Sequence, residues 1–219
     1  MRYYKNNIDD SSEIAKPKNT FIIELNLVDA LSLCGLALCL LSAGVALSGN
    51  YAYAIILIFL AMLIDMLDGI LARKFSLLRP FGKYLDSTID TFDYLAVPPL
   101  ILYLMGYNQW HQVLVLMIFV ICGVVRLAVF NQIGNIKDAS GRPSYLGMPV
   151  FWMVFILGSF YIGNWYIESS LLYPLLSLIL IVYSVLMISR RPCYKFNGWK
   201  LISALITAYI AVITWHEVL

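Results

Sequence analysis

The sequence predicts an all-α protein that crosses a membrane several times. Three observations carry that reading. Of 219 residues, 61% are hydrophobic and only 13% are charged, and the mean hydropathy is +0.81, far from the balance of a water-soluble domain. Apolar runs long enough to span, roughly 17–25 residues each, number about seven: 27–48, 51–72, 83–105, 110–131, 147–164, 170–188 and 200–217. The third observation is that the basic residues fall on alternate connections between these runs.

Taken in order, the first twenty residues, "MRYYKNNIDDSSEIAKPKNT", are polar and mixed in charge. They lack the early apolar run of a signal peptide and predict a flexible tail. "FIIELNLVDA" then leads along the interface into span one. Arg2, Lys5, Lys16 and Lys18 lie in the tail, and Arg73, Lys74, Arg79 and Lys83 follow span two. Arg126, Lys137 and Arg142 lie at or beyond the end of span four, and Arg190, Arg191, Lys195 and Lys200 precede span seven. These are all 15 basic residues of the chain. The other connections, "SGNY", "GYNQWHQ" and "GNWYIES", hold none. An excess of Lys and Arg marks cytoplasmic loops, so the N-terminus is expected inside and, with an odd number of spans, the C-terminus outside. The expected division is a tail and lead-in over 1–26, a six-helix membrane core over 27–188, and a basic loop with an additional helix over 189–219. Cys34, Cys39, Cys122 and Cys193 show no metal-ligand spacing and read as small apolar fillers, or, for Cys193, a reduced loop thiol.

The acids are out of place. Asp65 and Asp68 sit at i, i+3 at the inner end of span two, beside Gly69 and Ala72, and Pro80 marks a break before span three. Asp86, Asp90 and Asp93 then recur at i, i+4 and i+7, which predicts one shared helical face. A charged residue at the bilayer centre costs ~2.5–3.5 kcal/mol on insertion scales, and carboxylates this crowded must protonate or be neutralised. Divalent cations, which take oxygen ligands and leave room for substrate phosphate, are the natural partners. A lone acid would read as a helix-pairing group. A cation or proton transporter is the rival for a cluster, but transporter sites lie near the midplane on broken helices, and these acids gather at one rim beside a basic loop.

The same stretch, "DMLDGILARKFSLLRPFGKYLDSTID", fits D-x2-D-G-x2-A-R-x8-G-x3-D-x3-D, filled by Asp65, Asp68, Gly69, Ala72, Arg73, Gly82, Asp86 and Asp90. It resembles the signature of the CDP-alcohol phosphotransferases. That resemblance implies an integral membrane enzyme with a six-helix core, often homodimeric, that moves a substituted phosphate from a CDP-linked donor to an alcohol and releases CMP. It further implies two divalent ions, Mg²⁺ or Mn²⁺, one held by Asp65, Asp68 and Asp86 and the other by Asp65, Asp86 and Asp90. By the same resemblance Asp90 is the general base, Gly69, Ala72 and Gly82 with Asp68 admit the cytidine nucleotide, and Arg73 neutralises phosphate. "DALSLCG" resembles the family's N-x-x-[T/S]-x-x-G, with Ser32 and Gly35 in place and Asp29 standing for Asn, which adds Ser32 to the donor side.

Further along, "DSTIDTFDYLAVP", "CGVVRLAVFN" and "YLGMPV" resemble the D-S-x-x-D-x-x-S-F-x-x-A/V-P, R-L-A-R-F-N and F-x-G-L-P-x-P runs of the branch that uses serine. CDP-diacylglycerol would be the donor and phosphatidylserine the product, made in the cell membrane with the site on its cytoplasmic side. Serine carries a carboxylate and an ammonium, so Arg126, whose planar fork suits a carboxylate, and Asn131 are candidate acceptor residues, with Asp93 beside them. A snorkelling Arg126 is the bland alternative. Asp93 replaces the branch's Ser and Val129 its second Arg, which keeps glycerol 3-phosphate, inositol phosphate or another polar alcohol in view, with Lys83, Lys137 and Arg142 as possible cations. The expected partners are these substrates, the bilayer and a second copy of the chain, with no nucleic acid.

Overall fold

The computed structural model of the chain describes residues 25–75, 79–134, 136–137, 143–194 and 199–218. The polar tail 1–20, Arg142 and the side chain of Lys137 lie outside them. Helix α1, Leu27–Leu47, opens on Asn26. The Asn26 side chain accepts from the Asp29 N–H and the Asp29 carboxylate accepts from the Asn26 N–H, both at 2.8 Å. This reciprocal cap satisfies two N–H groups that a helix start leaves without partners. Three residues later α2, Tyr51–Lys74, returns antiparallel along α1. Small residues make the close approach possible: Gly35, Cys39, Ser42 and Ala46 are buried on α1, Ala54 and Ala61 on α2. Ser42 Oγ donates to the Ala54 carbonyl at 2.7 Å, and at the other end Ser32 Oγ donates to Asp68.

Helix α3, Pro80–Asp90, begins with proline at its first turn, where the missing N–H costs nothing. It passes without a break into a π-helical segment, Thr91–Ala96, and then into α4, Val97–Leu104. Pro98 and Pro99 have no N–H to offer the carbonyls of Tyr94 and Leu95, so the regular α ladder fails there and the wider turn takes its place. The predicted third span, 83–105, is therefore one helical run with a π insert.

Helix α5, Trp110–Ile133, packs on this insert at Gly123, where an added Cβ would lie 2.3 Å from a Leu95 methyl. Beyond it three short strands, β1 Ile136–Lys137, β2 Pro143–Leu146 and β3 Pro192–Tyr194, form an antiparallel sheet in the order β1-β2-β3. Its pairs include Ile136 with Ser144 and Tyr145 with Cys193. Helical periodicity gave no hint of this sheet.

The predicted fifth span is shorter than its apolar run. Helix α6 covers only Trp152–Gly163, about 18 Å at 1.5 Å per residue, and residues 147–151 are not helical. Gly147 takes φ +75°, its N–H bonds the Arg191 carbonyl, and the next N–H, from Met148, bonds the Leu186 carbonyl. Tyr183 also donates to the Pro149 carbonyl at 2.5 Å. Backbone of this kind is tolerated at membrane depth where protein encloses it. Helix α7, Ser169–Ile188, packs on α5, and α8, Trp199–Val218, packs on α2. Phe59 of α2, Phe155 of α6 and Tyr209 of α8 meet at ring-centroid distances of 5.3–5.7 Å.

Five of these helices, α1, α2, α5, α7 and α8, are long and apolar enough to cross a membrane. The chain is an all-α, multi-pass membrane protein, with one small sheet among the described residues. All four cysteines are free.

Candidate active site

The site forms at the end of the bundle where α1 begins, α2 ends and α3 begins. The i, i+3 spacing on α2 and the first two turns of α3 bring one oxygen from each of Asp65, Asp68 and Asp86 within 4.8 Å of one another. Two oxygens on one Mg²⁺ at ~2.1 Å lie at most about 4.2 Å apart, so small side-chain rotations would gather all three around one ion. An all-oxygen, all-anionic donor set is also what Mg²⁺ or Mn²⁺ prefers. The residues fit such an ion.

A cavity of about 640 Å³ opens beside this cluster. Asp65, Asp86 and Asp90 reach it, with Gly69 and Arg73 on the same side. Arg126 lines the same cavity from α5, and its positive charge acts on Asp90. It does not snorkel. The side chain is 6% exposed, Nε donates to the Met148 carbonyl at 3.2 Å, and the guanidinium lies 5.1 Å from the Phe130 ring centre and 5.6 Å from that of Tyr145. Aromatic walls of this kind hold a guanidinium without cancelling its charge. The rest of the wall is apolar: Met62, Met66 and Ile70 of α2, residues 148–152 before and at the start of α6, and Trp199 and Ile202 of α8.

Several predicted site residues stand elsewhere. Ser32 and Asp68 bond each other behind the cavity, Ala72 is buried, and Gly82 packs beside Asp29. Asp29 is held by Asn26 and by an ion pair with Arg79, so it serves the junction of α1 with α3. Asn131 also stays off the cavity wall. Its Oδ1 accepts from Ser87 at 2.9 Å and its carbonyl from Lys83 at 2.7 Å, which ties α5 to α3. Asp93 does not share the face of Asp86 and Asp90. The π insert carries roughly one more residue per turn than an α-helix, so Tyr94 takes the next place on the cavity side and Asp93 turns inward. There it is 1% exposed against the Cys39 thiol, a weak donor, and neither carboxylate oxygen meets a stronger partner among the described residues.

The residues that helical spacing missed are Tyr94, Tyr145, Cys193, Trp199 and Ile202. Tyr94 left a trace in the Pro98-Pro99 pair that disturbs the ladder, and Tyr145 opens the run "YLGMPV"; Cys193, Trp199 and Ile202 lie in none of the resembled motifs. Outside the spans, burial raises the pKa of the Tyr145 phenol and of the Cys193 thiol, and the charge of Arg126 opposes both shifts. Both groups remain neutral near pH 7.

Residues 25–189 match the family model described as CDP-alcohol phosphatidyltransferase. The chain belongs to this family. It is accordingly a transferase, and the resemblance carried by the eight signature positions is borne out. Among its relatives is an archaetidylserine synthase of Methanothermobacter thermautotrophicus, 31% identical over 175 residues, which cover 78% of this chain and 71% of that one. A CDP-diacylglycerol–serine O-phosphatidyltransferase of Methanocaldococcus jannaschii is 34% identical over 128 residues, 57% of this chain and 59% of that one. One of the same description from Helicobacter pylori is 32% identical over 163 residues, 71% and 67% of the two chains. Helix α8 lies beyond the part matched by the family model.

Proposed function

We propose that this phosphatidyltransferase moves the phosphatidyl group of a CDP-linked lipid, such as CDP-diacylglycerol, to L-serine, with Mg²⁺ or Mn²⁺ bound by the acid cluster. The observation that carries the serine reading is Arg126, a buried cation that lines the same cavity as Asp90. The names of the relatives agree with it.

In this reading Asp65, Asp68 and Asp86 hold one divalent ion, and Asp65, Asp86 and Asp90 a second. Bound there, the ions supply Lewis-acid polarisation of the phosphoryl oxygens and charge for the departing nucleotide. Arg73, on the cavity wall next to Gly69, receives phosphate. Arg126 receives the serine carboxylate and thereby turns the hydroxyl towards Asp90. An Asp90 oxygen takes the hydroxyl proton as the serine Oγ–P bond forms and the P–O bond to CMP breaks. The apolar wall of α2, α6 and α8 takes the start of the lipid chains, which reach the site sideways from the bilayer. The membrane would be the cell membrane, with the acids on its cytoplasmic face, and the enzyme a homodimer.

The test supplies purified protein with Mn²⁺ or Mg²⁺ and CDP-diacylglycerol or its ether-linked counterpart. CMP release is measured with serine, glycerol 3-phosphate, inositol phosphate and ethanolamine. Release with serine alone is expected. Release with a phosphorylated acceptor and none with serine would overturn the acceptor assignment, and no release with any alcohol would overturn the enzyme reading.

A further inference from the structure

We propose that Tyr94 is a positioning residue that sets the Asp65 carboxylate for cation binding. The inference rests on the reading of Asp65, Asp68 and Asp86 as a cation site. The Tyr94 hydroxyl donates to Asp65 Oδ2 at 2.8 Å, the ring is 2% exposed, and the residue borders the same cavity as Asp65, Asp86 and Asp90. Each acid of the cluster lies beside the other two, and like charges so close disfavour one another. Asp68 is held by Ser32, and Tyr94 gives Asp65 the corresponding restraint.

An ionised carboxylate offers about four lone-pair directions on two oxygens. The phenol occupies one of them on Oδ2 and fixes the plane of the group, leaving the other directions to the cluster. A neutral donor achieves this without adding a cation that would compete with the metal. The ring itself cannot easily swing. The π insert that carries it is pinned on one side by the close approach of Gly123 to Leu95, and Pro98 and Pro99 follow within one turn. Partners that orient metal ligands in this way are worth about 10–100-fold in metal affinity.

The run that "DSTIDTFDYLAVP" resembles has Phe at this place, so the hydroxyl is a feature of this chain and not of the signature. Its removal should therefore weaken metal binding and leave the chemistry able to proceed. Tyr94→Phe keeps the ring and deletes only the donor.

Mn²⁺ binding to the full chain, purified in detergent without substrate, is read from the spectrum of free Mn²⁺ by electron paramagnetic resonance. Wild type is expected to bind, Asp65→Asn to lose binding, and Tyr94→Phe to bind about tenfold more weakly. The Mn²⁺ concentration for half-maximal CMP release should rise by the same factor, while kcat at saturating Mn²⁺ and the serine KM stay within about threefold. Unchanged Mn²⁺ affinity would overturn the proposal, and a lowered melting temperature in EDTA alongside it would mark the hydroxyl as structural only. Should the Phe variant not fold, Tyr94→Gln and Tyr94→Leu, close in volume and different in the donor, are compared; equal affinities overturn the proposal. Wild type that binds no Mn²⁺ overturns the cation-site reading and this inference with it. Wild type that binds while Tyr94→Phe binds equally overturns this inference alone.

Discussion

Asp65 is asked to do the most of any residue here. It has oxygens of Asp68 and Asp86 within 4.8 Å, accepts from Tyr94 and borders the cavity. Asp65→Asn or Asp86→Asn removes a charge from the centre of the cluster, so CMP release should vanish. EDTA should do the same to wild type, reversibly on adding Mn²⁺, and robust turnover in EDTA would defeat the metal reading. Arg126→Ala discriminates at the other wall. A hydrogen bond to a charged group contributes about 1.5–3 kcal/mol, so the serine KM should rise roughly tenfold to hundredfold, at ~1.4 kcal/mol per factor of ten, while the donor KM barely moves. If only the donor KM rises, Arg126 serves phosphate and serine binds elsewhere. Asp93 gives the opposite expectation. Its place in the resembled run made it an acceptor candidate, yet it is buried away from the cavity with poorly satisfied oxygens. Asp93→Ser should leave the serine KM unchanged and raise thermal stability, because an under-bonded buried polar group costs about 1–3 kcal/mol.

Among the elements, the long helices were legible in the sequence because their apolar runs and their caps agree. Asn26 and Asp29 start α1, Pro80 starts α3, and the carboxylates of the signature come together as their spacing requires. What escaped was everything that departs from the α period. The π insert moved Asp93 off the cavity face and put Tyr94 on it. The short sheet, whose strands run two to four residues, has no periodicity to detect, and the non-helical stretch before α6 reads as apolar in either conformation. That stretch can be tested at Gly147. An added Cβ would stand 2.2 Å from the Met187 carbonyl oxygen, and φ is +75°, a conformation that side chains other than glycine adopt at a cost. Gly147→Ala should lower stability by at least ~1 kcal/mol, the lower end for incompatible glycine replacements. It should also raise the donor KM, since residues 148–152 form part of the cavity wall. An unchanged melting temperature in detergent would contradict the strain argument. Helix α8 enters the same wall through Trp199 and Ile202, although it lies outside the family match, so no signature residue could have announced it.

For the whole molecule the open question is which way it faces, and the basic residues give a physical answer. Arg73, Lys74, Arg79 and Lys83 flank the ends of α2 and α3 beside the acid cluster, whereas the turn from α1 to α2, "SGNY", at the other end of the bundle, has no basic residue. A membrane protein keeps its Lys and Arg on the cytoplasmic side, so the cluster should open to the cytoplasm. A nucleotide-linked donor and free serine would both meet it there. Ser48 and Tyr84 report the two sides, because both are exposed and neither belongs to the site. In a background with the four native cysteines replaced, Ser48→Cys should react with a membrane-impermeant maleimide on intact cells. Tyr84→Cys should react only after permeabilisation. The reverse pattern would place the acids outside, where a hydroxyl acceptor would have to be exported before it could attack. Labelling of both positions on intact cells would mean that the chain inserts in two orientations, and the charge argument would then fail for this protein even if the transferase chemistry stands.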